Sequence, residues 1–301
     1  MYSFHKNAVG FVLVSLTLFA IQASARSHHG FNVNTGDGPI TSCDQIEITA
    51  GGSQVARSED HLNFPATSYT VHAEASQNGG VYVYGWDNPE FSVLNCKAAA
   101  ASDGESAQSR LEQIKLSFDN GQLGVRGPED GDWISYLIIH APRNSAMALR
   151  AVNGGISLED LTGKLNVDGT NGPLSIKNCS GQVDADITNG PISYSGHGGN
   201  VHLRAQNGPI DVNLAGTSWQ NGELEAHSTN GPLDLRIPKS FRSGVLVETR
   251  GYSPFSCSDA CTGARKDFDD ENKSVQFGTG NPVVRLSTVN GPVSIGSPDM
   301  E

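Results

Sequence analysis

The chain has 301 residues and a formal charge of −12 at pH 7, with 20 basic against 32 acidic side chains. That balance argues against nucleic acid and against an anionic membrane surface, both of which call for clustered Lys and Arg. With 35 glycines and 7% aromatic residues, the composition favours short strands and tight turns over long helices.

Residues 1–25 read as a secretory signal peptide. Lys6 supplies the positive end, Val9 to Ile21 the apolar stretch, and Ala23-Ser24-Ala25 the small-residue site, with cleavage after Ala25. The expected location is secreted or periplasmic. No second apolar stretch is long enough to cross a bilayer, so no transmembrane segment is expected in the mature chain. Residues 26–66 are polar and rich in Gly and Ser, which suggests partial disorder; His28-His29 is at most a weak chelating pair.

Residues 67–150 form a less regular β region. Strands are expected at Val81–Tyr84, Phe91–Leu94, Leu116–Phe118, Leu123–Val125 and Tyr136–Ile139, with a short helix over Ala107–Gln113 that caps or crosses the first coils.

From 151 to 298 the pattern becomes periodic. Asn-Gly-Pro starts at Asn171, Asn189, Asn207, Asn230 and Asn290, with Asn-Gly-Gly at Asn153. The first intervals are 18 residues, followed by 23 and 60. A turn signal on a constant pitch marks an array of stacked units, and the expected corner uses left-handed Asn and Gly followed by the fixed φ of Pro. Each beat holds two runs of strict alternation, as in Leu174-Ser-Ile176 and Val183-Asp-Ala185-Asp-Ile187. These features predict an all-β, parallel β-solenoid (β-helix) of ~18-residue, two-strand coils, in which Val183, Ala185 and Ile187 stack on Val201, Leu203 and Ala205. The five extra residues before Asn230 should bulge from a corner, carrying Trp219. The longest interval should hold one further coil, an irregular insertion at 251–278 and then a final coil.

All five Cys follow the leader, where disulfides persist. Cys257–Cys261 and Cys43–Cys96 are the expected pairs, leaving Cys179 as an unpaired structural thiol. A Gly-Trp-Asp element at 85–87, the segment Leu-Glu-Gln-Ile-Lys-Leu-Ser at 111–117, Ala141-Pro142-Arg143 and the ladder of Asn-Gly turns together resemble the bacterial "putative adhesin" family. That domain family of unknown function is similar to the auto-transporter adhesin head domain. The resemblance spans about residues 70–298 and implies an exported or envelope-associated β-solenoid. It carries over no catalytic residue, and the Cys-bearing insertion departs from its pattern.

Stacking at the repeat interval brings outward residues into columns: Asn166, Asp184, His202, Glu225 and, beside it, Asp168, Asp186, Arg204, His227. Asp184, Asp186, His202 and Arg204 could form an acid/base or sugar-binding group; a register-keeping ladder of ion pairs is the simpler reading. The other sheet presents Ser157, Ser175, Ser193, Asp211 and Asp234, flanked by Glu159, Lys177, Ser195, Asn213 and Arg236. Trp219, and secondarily Trp86 and Trp133, are candidate sugar platforms. The acids from Asp267 to Glu271 lack the ligand spacing and bend glycine of a calcium loop. No metal or cofactor is expected. The resulting expectation is a non-catalytic module binding glycan, envelope or protein surfaces, with self-association possible at open sheet ends. A β-helix carbohydrate-active enzyme and a structural envelope spacer are the alternatives.

Overall fold

The computed structural model describes residues 30–298 except 37, 67, 130, 251, 252, 259, 260 and 270. The leader, His28-His29 and Asp270 therefore lie outside the described residues. The N-terminal part runs β1 (Phe31–Asn34), β2 (Glu47–Ala50), β3 (Gln54–Pro65), β4 (Val71–Glu74), β5 (Val81–Trp86), β6 (Glu90–Ala101), α1 (Gly104–Leu111), β7 (Lys115–Asp119), β8 (Gln122–Arg126) and β9 (Trp133–Pro142). The repeats supply β10 (Met147–Asn153), β11 (Ile156–Glu159), β12 (Lys164–Asn171), β13 (Leu174–Lys177), β14 (Gln182–Asn189), β15 (Ile192–Gly196), β16 (Asn200–Asn207), β17 (Ile210–Leu214), β18 (Leu224–Asn230) and β19 (Leu233–Arg236). The chain ends with β20 (Ser243–Arg250), β21 (Phe255–Cys257), β22 (Arg265–Phe268), β23 (Asn272–Phe277), β24 (Thr279–Asn290) and β25 (Val293–Gly296).

Alternate strands of the repeats go to two different sheets, one of 12 strands and one of 11. Within each sheet a repeat strand pairs in parallel with its equivalent one repeat later. Val183 pairs with Val201, Ala185 with Leu203 and Ile187 with Ala205, as the spacing predicts. Period-2 alternation turns Leu165, Val183, Val201 and Leu224 toward the facing column of Leu174, Ile192, Ile210 and Leu233, and one continuous core forms between the sheets. Each buried aliphatic side chain contributes about 1.5–3 kcal/mol, so the core grows with every added rung.

The Asn-Gly-Pro corner works differently from the sequence expectation. None of the corner asparagines takes a positive φ; Gly172 and Gly190 do, at 158° and 156°, whereas Gly208 and Gly231 do not. What requires glycine at all four corners is stacking. A Cβ on Gly172, Gly190, Gly208 or Gly231 would stand 2.0–2.1 Å from the carbonyl oxygen of the glycine one rung earlier. Each corner Asn donates its amide to the Asn below it at 2.9–3.0 Å, from Asn290 through Asn230, Asn207, Asn189 and Asn171 to Asn153. The ladder continues to Asn78 at 3.2 Å. The Pro carbonyls extend the backbone ladder, as in Leu174 N–H to Pro191.

The ends of the array depart from sequential order. β24 lies between β18 and β20, and β25 between β19 and β21. The last segment is therefore not a terminal coil: it slides back beside Asn230, and the intervening residues fold over the outer end as β20 and β23–β22. The other end is alike, with β4 and β5 set against β10 and β11 across a long sequence gap.

Within 30–65, where the sequence suggests partial disorder, the structure places β1, β2 and β3. Phe31, Ile46 and Ile48 bury against Ala98, Ile134, Tyr136 and Ile138 on the outer face of the 11-stranded sheet, and Cys43–Cys96 pins the antiparallel β1–β2 ribbon there. The helix starts three residues earlier than expected because Asp103 accepts the Ser106 N–H at 2.8 Å and caps it. Its Leu111 packs with Ala99 and Ile114 over the end of β6. The edge strand β3 carries Arg57, Glu59, Asp60 and His61, a charged rim that discourages pairing with another chain.

Candidate functional site

The register of β12, β14, β16, β18 and β24 places the charged columns on the outer face of the 12-stranded sheet. Asp184 pairs with His202 and Asp186 with Arg204 across β14 and β16. Asp184 Oδ1 lies 2.9 Å from His202 Nδ1, while Oδ2 accepts from Gln182 Nε2 at 2.9 Å. Burial pushes the Asp184 carboxyl up, but hydrogen bonds from His202 and Gln182 and the nearby His202 and Arg204 charges outweigh it and hold the group low. Both carboxylate oxygens are thus engaged. Arg204 meets both oxygens of Asp186 at 3.3 Å, each side chain being more than half exposed.

The columns run on in both directions. Arg150 stands 3.7 Å from Glu74, and Arg285 contacts Glu223 at 2.8 Å and Glu225 at 3.7 Å. Asp168, in register with Asp186, makes no ion pair among the described residues, and a shallow groove of about 420 Å³ passes along Arg150, Asp168, Asp184 and Asp186. Among the described residues no group of His, Cys, Asp and Glu is arranged to hold a metal ion. Asp168 apart, the face is chemically a set of mutually paired charges, each exposed pair contributing about 0–1 kcal/mol.

One more contact on this face joins residues 60 apart in sequence. His227 Nδ1 lies 2.9 Å from Ser287 Oγ, beside a cleft of about 620 Å³ whose walls include Glu248, Arg250 and Asp269. Ser287 and Arg285 were legible only by matching Asn290 to Asn230 and counting back. His227 has Arg204 as its neighbour on the other side, and among the described residues no carboxylate hydrogen-bonds its ring, as a nucleophile's base requires.

The opposite outer face carries Ser157, Ser175 and Ser193 in register, then Asp211 and Asp234. Lys177 Nζ meets Glu159 at 2.8 Å, and Arg236 meets Asp234 at 3.4 Å. Burial, and next the adjoining Asp234 charge, raise the Asp211 carboxyl above its ordinary value.

Trp219 is not an exposed platform. Its side chain is 6% exposed, its indole N–H donates to the Gly199 carbonyl at 3.0 Å, and its ring lies 6.2 Å from that of Tyr194. The indole is held inward by the bond to Gly199 and by the Trp219 backbone N–H, which donates to Ser243 Oγ at 3.0 Å. Trp86 and Trp133 are half-buried, their indole N–H groups held by the Glu90 and Pro128 carbonyls. Cys179 is buried and unpaired, its thiol pushed up to about 12 by burial, whereas Cys257 bonds Cys261. Asp269 accepts the Glu271 and Asn272 N–H groups at the start of the β22–β23 turn.

No protein-family model matches the chain, and no curated protein matches it. Solved structures with partial likeness include a putative cell adhesion protein from Clostridium sporogenes ATCC 15579, at 10% identity and a TM-score of 0.35, over 81% of this chain and 100% of the other. A putative adhesin from Bacteroides fragilis NCTC 9343 shows 10% identity and a TM-score of 0.32, over 80% and 97%. A putative lipid binding protein from Parabacteroides distasonis ATCC 8503 shows 9% identity and 0.34, again over 80% and 97%. Scores of this size assign neither family nor function.

Proposed function

We propose that the protein is an exported, non-catalytic β-solenoid that binds envelope, glycan or protein surfaces through its outer faces. One observation carries this reading: the same outward positions recur in register from rung to rung, so that polar side chains form long, nearly flat columns. Such a surface suits many weak contacts spread over several rungs better than chemistry at one point. The Asp184–His202 and Asp186–Arg204 pairs also spend their charge on each other, not on a shared reacting centre. The Cys43–Cys96 and Cys257–Cys261 bonds accord with an oxidising compartment.

The test is binding of the purified chain from residue 26 onward to envelope fractions, glycan arrays and exported proteins. Retention on at least one class, weakened by charge reversal at Asp186 and Arg204, is the expected result; no retention on any of them removes the reading. The carbohydrate-active alternative draws on the unpaired Asp168 in the groove beside Asp184 and Asp186. Cleavage of neutral or acidic polysaccharides that disappears in an Asp184→Ala, Asp186→Ala double variant would replace the binding reading by that one.

A further inference from the structure

The rungs at Asn78 and Asn153 read Asn-Gly-Gly, where later corners read Asn-Gly-Pro. Gly80 and Gly155 occupy the position of Pro173, since their carbonyls accept the same ladder bond. At Gly80 the Tyr136 ring stands 3.2 Å from where a Cβ would be, whereas the ring missing at Gly155 leaves the cleft wall open next to the β1–β2 ribbon. There Pro39 and Ile40 overhang the 11-stranded sheet and leave a cleft of about 410 Å³, within the range of small-ligand sites.

The cleft walls are hydroxyl-rich. Tyr82 and Tyr136 line it with near-parallel rings 6.2 Å apart, and Ser157 and Ser175 line its floor. Tyr136 is only 4% exposed, yet neither tyrosine hydroxyl meets a protein partner among the described residues. The two serine hydroxyls also meet no protein partner among the described residues. Glu159 and Lys177 complete the wall, but they neutralise each other at 2.8 Å. The overhang is fixed by the Cys43–Cys96 bond and by Tyr84, whose hydroxyl donates to the Ile40 carbonyl at 2.9 Å.

From this arrangement we infer that the cleft between the β1–β2 ribbon and the serine column binds a neutral sugar residue. The inference rests on the surface-binding reading above and gives it a specific pocket. A sugar presents hydroxyls that both donate and accept, matching the Tyr and Ser groups, and C–H faces that pack on aromatic rings. An acyl chain would desolvate these hydroxyls without replacing their hydrogen bonds. An anionic or cationic ligand would have to break the closed Glu159–Lys177 pair.

The experiment is calorimetric titration of the mature chain with neutral and with acidic oligosaccharides, repeated for Tyr136→Phe, Ser175→Ala and Ser175→Trp. Neutral oligosaccharides should bind, with affinity falling about tenfold in Tyr136→Phe and Ser175→Ala for each lost hydrogen bond. Binding should vanish in Ser175→Trp, which fills the cleft from an exposed position, while circular dichroism and thermal midpoint stay unchanged. Neutral binding that survives Ser175→Trp overturns the cleft yet leaves the surface reading intact. So does binding of acidic sugars or protein partners alone. Failure to bind any surface or sugar removes both.

Discussion

At the scale of single residues, the fold depends on atoms that are absent as much as on those present. Gly190→Ala would place a methyl group 2.1 Å from the Gly172 oxygen. That forces two rungs apart and should destabilise the chain by more than about 3 kcal/mol in chemical denaturation. Gly104→Ala, which meets open space at the start of α1, should be neutral or stabilise by up to about 1 kcal/mol. Tyr194 offers the converse case. Its hydroxyl is buried beside Gly196 and has no hydrogen-bond partner among the described residues, so Tyr194→Phe should raise stability by roughly 1 kcal/mol; a loss would reveal a bound water or partner. The need for glycine after Asn was legible in the repeat, but its cause was not. The motif also suits a left-handed turn, and only the stacked backbone separates conformational need from close approach.

At the scale of strands, register decides which charges meet, and two carboxylates on opposite sheets should respond to pH with opposite sign. Asp184 is held below its ordinary value of 3.8, so its stabilising effect is full above that pH and is lost as pH falls through its lower folded value. Denaturant unfolding should therefore show Asp184→Asn less stable than wild type at neutral pH, with the gap closing in acid. Asp211 is raised, so it favours the fold when protonated and opposes it as pH rises through its folded value. Asp211→Asn should stabilise at neutral pH by less than about 1 kcal/mol and lose that advantage in acid. The Asp184–His202 and Asp186–Arg204 neighbours followed from adding the repeat interval. Trp219 did not, because a corner insertion has no periodicity to say whether its side chain turns out or in.

At the scale of the whole molecule, both ends of the array are closed by segments out of chain order. A chain ending at Pro238 loses β24 and β25 and leaves β18 and β19 as bare parallel edges. It should elute as oligomers or aggregate in size-exclusion chromatography; a stable monomer would mean that the last rung is dispensable. The sequence by itself determined strand alternation, the pairing of equivalent repeats and the inward aliphatic columns, because each follows from a fixed interval and a period of two. Only the tertiary structure decided that Asn290 docks on Asn230, that Asn78 begins the amide ladder, and that residues 30–50 cover an apolar outer face. These contacts join segments that share no spacing, and they form because an open sheet edge or an uncovered apolar patch is satisfied by whichever part of the chain can reach it.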